Sequence, residues 1–301
     1  MLAPPSTRHA RLGLAALAHC RALAALAAAV ACALPVGQGR AASAEIVHAA
    51  RAPSTLTSAR SVSSNWSGYA VTSPGVTYTS ATATWKQPAA SCDQADAGAQ
   101  SAFWVGLGGY STNSQALEQI GSDSDCNASG RPDYYAWYEL VPAAAVQLAI
   151  KIEPGNTVTV SVNAIDGATT MELQIINRSL GVRVTKLLPV ASPDLSSAEW
   201  IAEAPSECTR DSCQTEPLAN FGSVSFARIA ALGNGVGGTV SDPAWSADQI
   251  ELRPGNSFRG SFPGRDRFAG SPDSGAGASS GPLTASGNAF SVAWVADAAS
   301  G

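Results

Sequence analysis

From Ser61 onward, apolar and polar residues alternate in short runs, and a period of two predicts strands rather than helices. The runs VTYTSATATWKQP, SAFWVGLGG, YYAWYELVP, TVTVSVNAI, TMELQIINRSLGVRVTKLL, GSVSFARIAAL, DQIELRP and NAFSVAW are rich in β-branched and aromatic residues. Clusters of Gly, Asn, Pro or Ser separate them, and INRSLG reads as a hairpin turn. No long stretch keeps a helical period. The pattern predicts an all-β body built as an antiparallel two-sheet β-sandwich, a jelly roll of the concanavalin or lectin kind. Residues 259–288 are rich in Gly, Ser and Pro and predict a long surface loop before a last strand near Ala289–Trp294.

The first 44 residues break this alternation. Arg8 and Arg11 precede an Ala/Leu-rich core from Ala22 to Leu34, and Ala42-Ser43-Ala44 has the small-x-small form of a cleavage site. Arg21 interrupts the apolar run, which is short against the roughly 20 residues of a membrane span. Residues 1–44 are therefore expected to be a signal peptide, with secretion and no membrane segment in the mature form. Residues 45–60 are expected to be an unpacked leader, either a short propeptide or a disordered lead-in. Residues 61–301 then form the catalytic or binding domain, a length that suits one all-β unit of about 200–250 residues.

Charge changes the picture of partners. Six arginines and one acid precede Ser61, whereas 12 basic and 22 acidic residues follow it. An acidic body disfavours nucleic acid, because phosphate binding needs clustered Lys and Arg. It suits work at a pH where carboxylates are protonated, or it serves solubility alone. The histidines are His9, His19 and His48, all upstream of the body. A Ser-His-Asp triad, a Cys-His pair and His-ligated zinc are thus excluded from residues 61–301. No cofactor or metal is expected. Of six cysteines, Cys20 and Cys32 lie in the signal. The remaining four predict two disulfides in an exported chain: Cys208 with Cys213 across a short loop, and Cys92 with Cys126.

Three stretches carry candidate chemistry. In SSAEWIAEAPSE, a strand puts Glu199, Ile201 and Glu203 on one face, and Pro205 ends the ladder. In SQALEQIGSDSDC, Gln115, Leu117, Gln119 and Gly121 share a face. Gln119 there either fills structural hydrogen bonds or offers an N–H to a developing oxyanion, which an ionised acid cannot do. In YYAWYELVP, Tyr135, Trp137 and Glu139 fall together, as in a substrate groove or in a core with a satisfied acid. Two literal motif matches are accidental. Gly277-Ala278-Ser279-Ser280-Gly281 fits G-x-S-x-G without a preceding strand or a histidine. Asp273-Ser274-Gly275 lacks the second aspartate that aspartic peptidases need.

The segments SNWSGY, FWVGLGG, LEQIGSDSDC, YYAWYE and AEWIAEAP occur in that order. With them the chain resembles the glutamic peptidases, the eqolisin family of secreted acid endopeptidases, in a bacterial-type form, from about Ser64 to Trp294. The resemblance implies a sandwich with an open groove and a catalytic Gln/Glu dyad. It places the glutamine on Gln119 and the glutamate on Glu203. Trp104, Asp123, Trp137 and Glu139 fall on positions that line or support the site, with Trp66 and Glu199 beside them. Fungal members carry an acid where this chain has Gly108, and aromatics where it has Leu140 and Val141. The implied partners are protein or peptide substrates, taken by a monomer. Two other readings use the same carboxylates: a glycoside hydrolase with Glu203 and Glu139 or Glu199 as its pair, and a non-catalytic carbohydrate- or peptide-binding module. Gln119 separates them, since a glycosidase has no special need for it.

Overall fold

A computed structural model describes residues 45–47, 60–111, 113–208, 213–254, 268–269 and 275–296. The strands of the body are β1 (Arg60–Ser63), β2 (Trp66–Thr72), β3 (Tyr78–Lys86), β4 (Ala102–Gly108), β5 (Leu117–Asp123), β6 (Ala136–Val141), β7 (Val146–Leu148) and β8 (Thr157–Ile165). They continue as β9 (Thr170–Asn177), β10 (Val182–Pro189), β11 (Ser197–Glu203), β12 (Ser223–Gly233), β13 (Val236–Gly238), β14 (Ser246–Leu252), β15 (Gly277–Ser280) and β16 (Ala289–Val295). Their hydrogen-bonded order is β7-β6-β5-β4-β11-β2-β14-β15-β16-β12-β3-β8-β9-β10, with β13 beside β12 and β1 beside β14. Apart from β1, which runs parallel to β14, neighbours are antiparallel.

The path folds back so that its two halves face each other, the two-sheet sandwich that the alternation predicts. Phe103, Val105, Ile120 and Trp200 from one layer share a core with Trp85, Val160, Leu173 and Phe226 from the other. Two buried indoles find polar partners across the gap. Trp200 Nε1 donates to the Thr82 carbonyl at 2.9 Å, and Trp85 Nε1 to Ser122 Oγ at 3.3 Å. The inward residues of β4, β5 and β11 thus serve the core, and every second residue is left for the opposite face.

Two expectations change. Gly277–Ser280 is a strand, not loop, and joins β16 to β14. Its Gly, Ala and Ser residues carry no β-branched signal, yet small side chains suit a strand with Ala278 and Ser280 buried. Asp273 and Ser274 lie outside the described residues. The leader also contributes to sheets. Arg60 opens β1, and Glu45–Val47 pairs with Ser206–Cys208 in a small second sheet, whose order continues through Cys213–Thr215 to Phe268–Ala269.

Cys92 and Cys126 are bonded, 34 residues apart in sequence. The bond ties the segment before β4 to the chain just after β5. Cys208 and Cys213 stand opposite each other in the backbone register, and their side chains lie outside the described residues. Replacing Cys92 and Cys126 together by Ser is expected to lower stability by about 2–4 kcal/mol. Urea denaturation checks this, and an unchanged midpoint would contradict a structural role for the bond.

Candidate active site

The outward face of β6, β5, β4, β11 and β2 is a grid fixed by strand register. Asp123, Ala102, Glu203 and Trp66 form one row across the strands. Trp137, Gly121, Trp104, Ile201 and Gly68 form the next. Glu139, Gln119, Gly106, Glu199 and Ala70 form the third. Motifs scattered from Trp66 to Glu203 in sequence thus meet on one patch. Glu199 is level with Gln119, and Glu203 stands two rows along.

Hydrogen bonds and charge decide which acid belongs with the amide. Trp104 Nε1 donates to Glu203 Oε2 at 2.6 Å, and Asn65 Nδ2 to Glu203 Oε1 at 3.0 Å. Gln119 Nε2 donates to Glu139 Oε2 at 2.7 Å, so Glu139 orients the amide. Trp137 Nε1 donates to Asp123 Oδ1, and the Trp66 and Trp104 rings meet edge to face at 4.9 Å between centroids. Burial pushes the Glu203 carboxyl well above the usual carboxylate range. The Trp104 N–H pulls it back, the Glu139 charge pushes it up, and Trp66 and Asp123 act more weakly in the two directions. Glu199 is also raised by burial, but the acids acting on it are Asp194 and Glu118. Glu203 is therefore linked through Glu139 to Gln119, and Glu199 belongs to a different group of carboxylates.

These side chains are buried, where the resemblance implied exposure in an open groove. Gln119, Asp123, Glu139, Glu199 and Glu203 are all 0% exposed. Trp66, Trp104 and Trp137 fill the face with Ile201 and Leu117, and Tyr110, Tyr135 and Ala145 pack against it. In this water-poor setting a carboxylate needs donors, and indole and amide N–H groups supply them.

Two contributions are not visible in the sequence pattern. Asn65 sits inside SNWSGY, where its neighbour Trp66 is the more conspicuous residue. Ser63 Oγ bonds both Asn65 Oδ1 and the Trp66 N–H, which sets the turn that aims Asn65 at Glu203. The glycines of FWVGLGG and EQIGS make room for the Trp104 indole. A Cβ on Gly106 would come within 2.9 Å of Trp104 Cζ3, and one on Gly121 within 2.7 Å of Trp104 Cβ. At Gly108, where fungal members carry an acid, a Cβ would lie 2.4 Å from the Asp194 carbonyl oxygen. The chain around Asp194 already occupies that space.

Beside the patch lies a second set of buried acids. Asp125 accepts from the Ser101 N–H at 3.0 Å and from the Tyr135 hydroxyl at 2.8 Å. Burial still raises it to about 7. Glu118, on the core side of β5, is raised to about 8 by burial and by the Asp194 charge.

A sequence model of the Peptidase A4 family matches residues 64–256. Among solved structures, scytalido-glutamic peptidase with a peptide-based transition-state analogue is 25% identical, with a TM-score of 0.59 over 77% of this chain and 98% of that one. The same peptidase with a transition-state analogue inhibitor gives a TM-score of 0.60 at 25% identity, again over 77% and 98% of the two chains. SCP-B, a member of the eqolisin family in complex with the tripeptide Ala-Ile-His, is 24% identical with a TM-score of 0.55 over the same shares. No curated protein sequence matches.

The raised carboxyls set the direction of pH-dependent stability. A carboxyl raised on folding holds its proton more tightly in the native state. Its contribution is complete below the unfolded value near 4 and is lost as pH rises through the folded value. The melting temperature is therefore expected to fall between about pH 4 and pH 8, with Asp125 lost near 7 and Glu118 near 8. Glu118→Gln is expected to flatten the upper end of that curve. Differential scanning fluorimetry across this range checks both, and a melting temperature that climbs with pH would refute the assignment.

Proposed function

The chain belongs to the Peptidase A4 family, a family of glutamic peptidases, and we propose that it is an exported acid endopeptidase using Glu203 and Gln119 on protein or peptide chains. Membership sets aside the glycoside hydrolase and binding-module readings. Residues 1–44 act as the export signal, 45–60 as a leader and 61–301 as the catalytic domain.

The observation that carries the assignment is the paired anchoring of the two groups. Asn65 and Trp104 hold one carboxylate by both oxygens, and Glu139 holds the amide. Glu203 takes a proton from a water, and the oxygen of that water attacks the scissile carbonyl carbon directly. Gln119 donates an amide N–H to the oxyanion that forms. Glu203 then returns the proton to the leaving nitrogen as the C–N bond breaks. One carboxyl serves as base and then as acid, and no acyl-enzyme forms. Burial keeps the protonated form populated until the nitrogen leaves, and the two N–H donors favour the ionised form that starts the cycle. Acid pH protonates Glu139 and Asp123, whose charges hold Glu203 up, and so eases its ionisation; the working pH is acidic on this account. Trp66, Trp104, Asp123 and Trp137 keep the acid and the amide in place, and Glu199 takes no chemical step. The tripeptide bound to SCP-B supports a peptide as the occupant of such a site.

Glu203→Gln keeps the shape and removes the base. It is expected to lower kcat on denatured casein at pH 4 by roughly 10²–10⁴-fold with the fold intact. Gln119→Glu is expected to lose roughly 10²–10³-fold, because an ionised acid cannot donate to an oxyanion. Glu199→Gln is expected to keep most activity. A Glu203→Gln protein that digests casein at the wild-type rate would sink the mechanism. Activity is further expected to survive a serine-directed phosphonate, a chelator and pepstatin, and strong inhibition by any one of them points to another peptidase chemistry.

A further inference from the structure

The leader segment Glu45–Val47 is an edge strand. It pairs antiparallel with Ser206–Cys208 in the register Glu45 to Cys208, Ile46 to Glu207 and Val47 to Ser206. Ser206 lies three residues beyond Glu203 in the chain. One backbone bond ties the root of this hairpin to the site, and another closes its two arms. The Ala204 N–H donates to the Asn65 carbonyl at 2.8 Å, and the Glu216 N–H to the Pro205 carbonyl at 2.8 Å. On its far side Ser206–Cys208 is already paired with Cys213–Thr215. Among the described residues, Glu45–Val47 therefore stands at one outer edge of this small sheet and Phe268–Ala269 at the other.

Strand addition recognises backbone rather than side chains. Such a contact can hold a substrate chain extended whatever its side chains. Direction matters here. A chain on this edge runs from the level of Cys208 to the level of Ser206, and its continuation heads toward Glu203. The three residues from Ser206 back to Glu203 span at most about 10 Å. Resting on the function proposed above, we infer that the edge of Ser206–Cys208 is a backbone-pairing subsite for the substrate chain on the N-terminal side of the scissile bond. Glu45–Val47 is its resident occupant. The substrate residue facing Ser206 then lies about three residues before the cleaved bond, by the same spacing.

The test uses the chain with its leader and the double variant Ile46→Pro, Val47→Pro. Consecutive N–H groups of a strand point to opposite edges, so one of two adjacent prolines must remove a pairing donor. Hydrogen exchange of the Ser206–Cys208 amides is read in a Glu203→Gln background, where nothing is cleaved. The probe is the synthetic peptide AEIVHAA, the sequence of residues 44–50. Exchange in the double variant is expected to be at least roughly tenfold faster than with the native leader, and millimolar peptide is expected to restore protection. In active enzyme, the double variant is expected to show a lower KM for a fluorogenic peptide, and AEIVHAA to raise that KM with kcat unchanged. Equal exchange with and without the prolines overturns the docked strand. Protection by the peptide without any change in KM overturns the substrate role of the edge. Protection intact while the protein with native Glu203 and Gln119 cleaves no peptide counts against the proposed peptidase activity and leaves the edge as a strand-binding site.

Discussion

Glu203 has no exposed surface, so its charge depends on the N–H groups of Trp104 and Asn65. Much of the patch follows from that requirement. Trp104 reaches the carboxylate only because Gly106 and Gly121 leave room for its ring and its Cβ. Asn65 reaches it because Ser63 pins the turn that leads into Trp66. The N–H groups favour the ionised form, while burial and the charge of Glu139 favour the protonated one. A carboxyl held between these opposing pulls is suited to take a proton and give it back.

Carboxyls in a water-poor sheet also shape the stability of the whole. Asp123, Asp125, Glu118, Glu199 and Glu203 are all raised by burial. A tenfold tighter hold on a proton in the folded state corresponds to about 1.4 kcal/mol. Several such groups together therefore tie the integrity of the sandwich to acidity. Acidity that protonates Glu139 and Asp123 also removes two of the charges that raise Glu203, and so favours the ionised form from which it can act as base.

Much of the site was legible because sheets translate sequence period into geometry. Alternation alone puts Glu199 with Glu203, and Trp137 with Glu139, on common faces. The Gly/Ala/Ser run at Gly277–Ser280 was not legible, because its composition is that of a loop and only its pairing with β14 and β16 makes it a strand. Glu45–Val47 escaped for a similar reason. Three residues carry too short a pattern, and pairing to Ser206–Cys208 depends on where that hairpin stands. Asn65 was hidden by position, since its bond to Glu203 spans 138 residues.

By itself the sequence determined the all-β class, the inward and outward sets of each strand, the absence of histidine from the body and the order of five motifs that mark the family. These are local properties, carried by alternation and composition. Only the tertiary structure decided that Gln119 lies level with Glu199 while its partner Glu139 is coupled by charge to Glu203. Only the tertiary structure buried these side chains. The reason is register. A slip of two residues between β4 and β11 would keep every side chain on its own face. It would also put Glu199 or Glu203 level with Trp104 in place of Ile201, and nothing in the one-dimensional pattern distinguishes these registers.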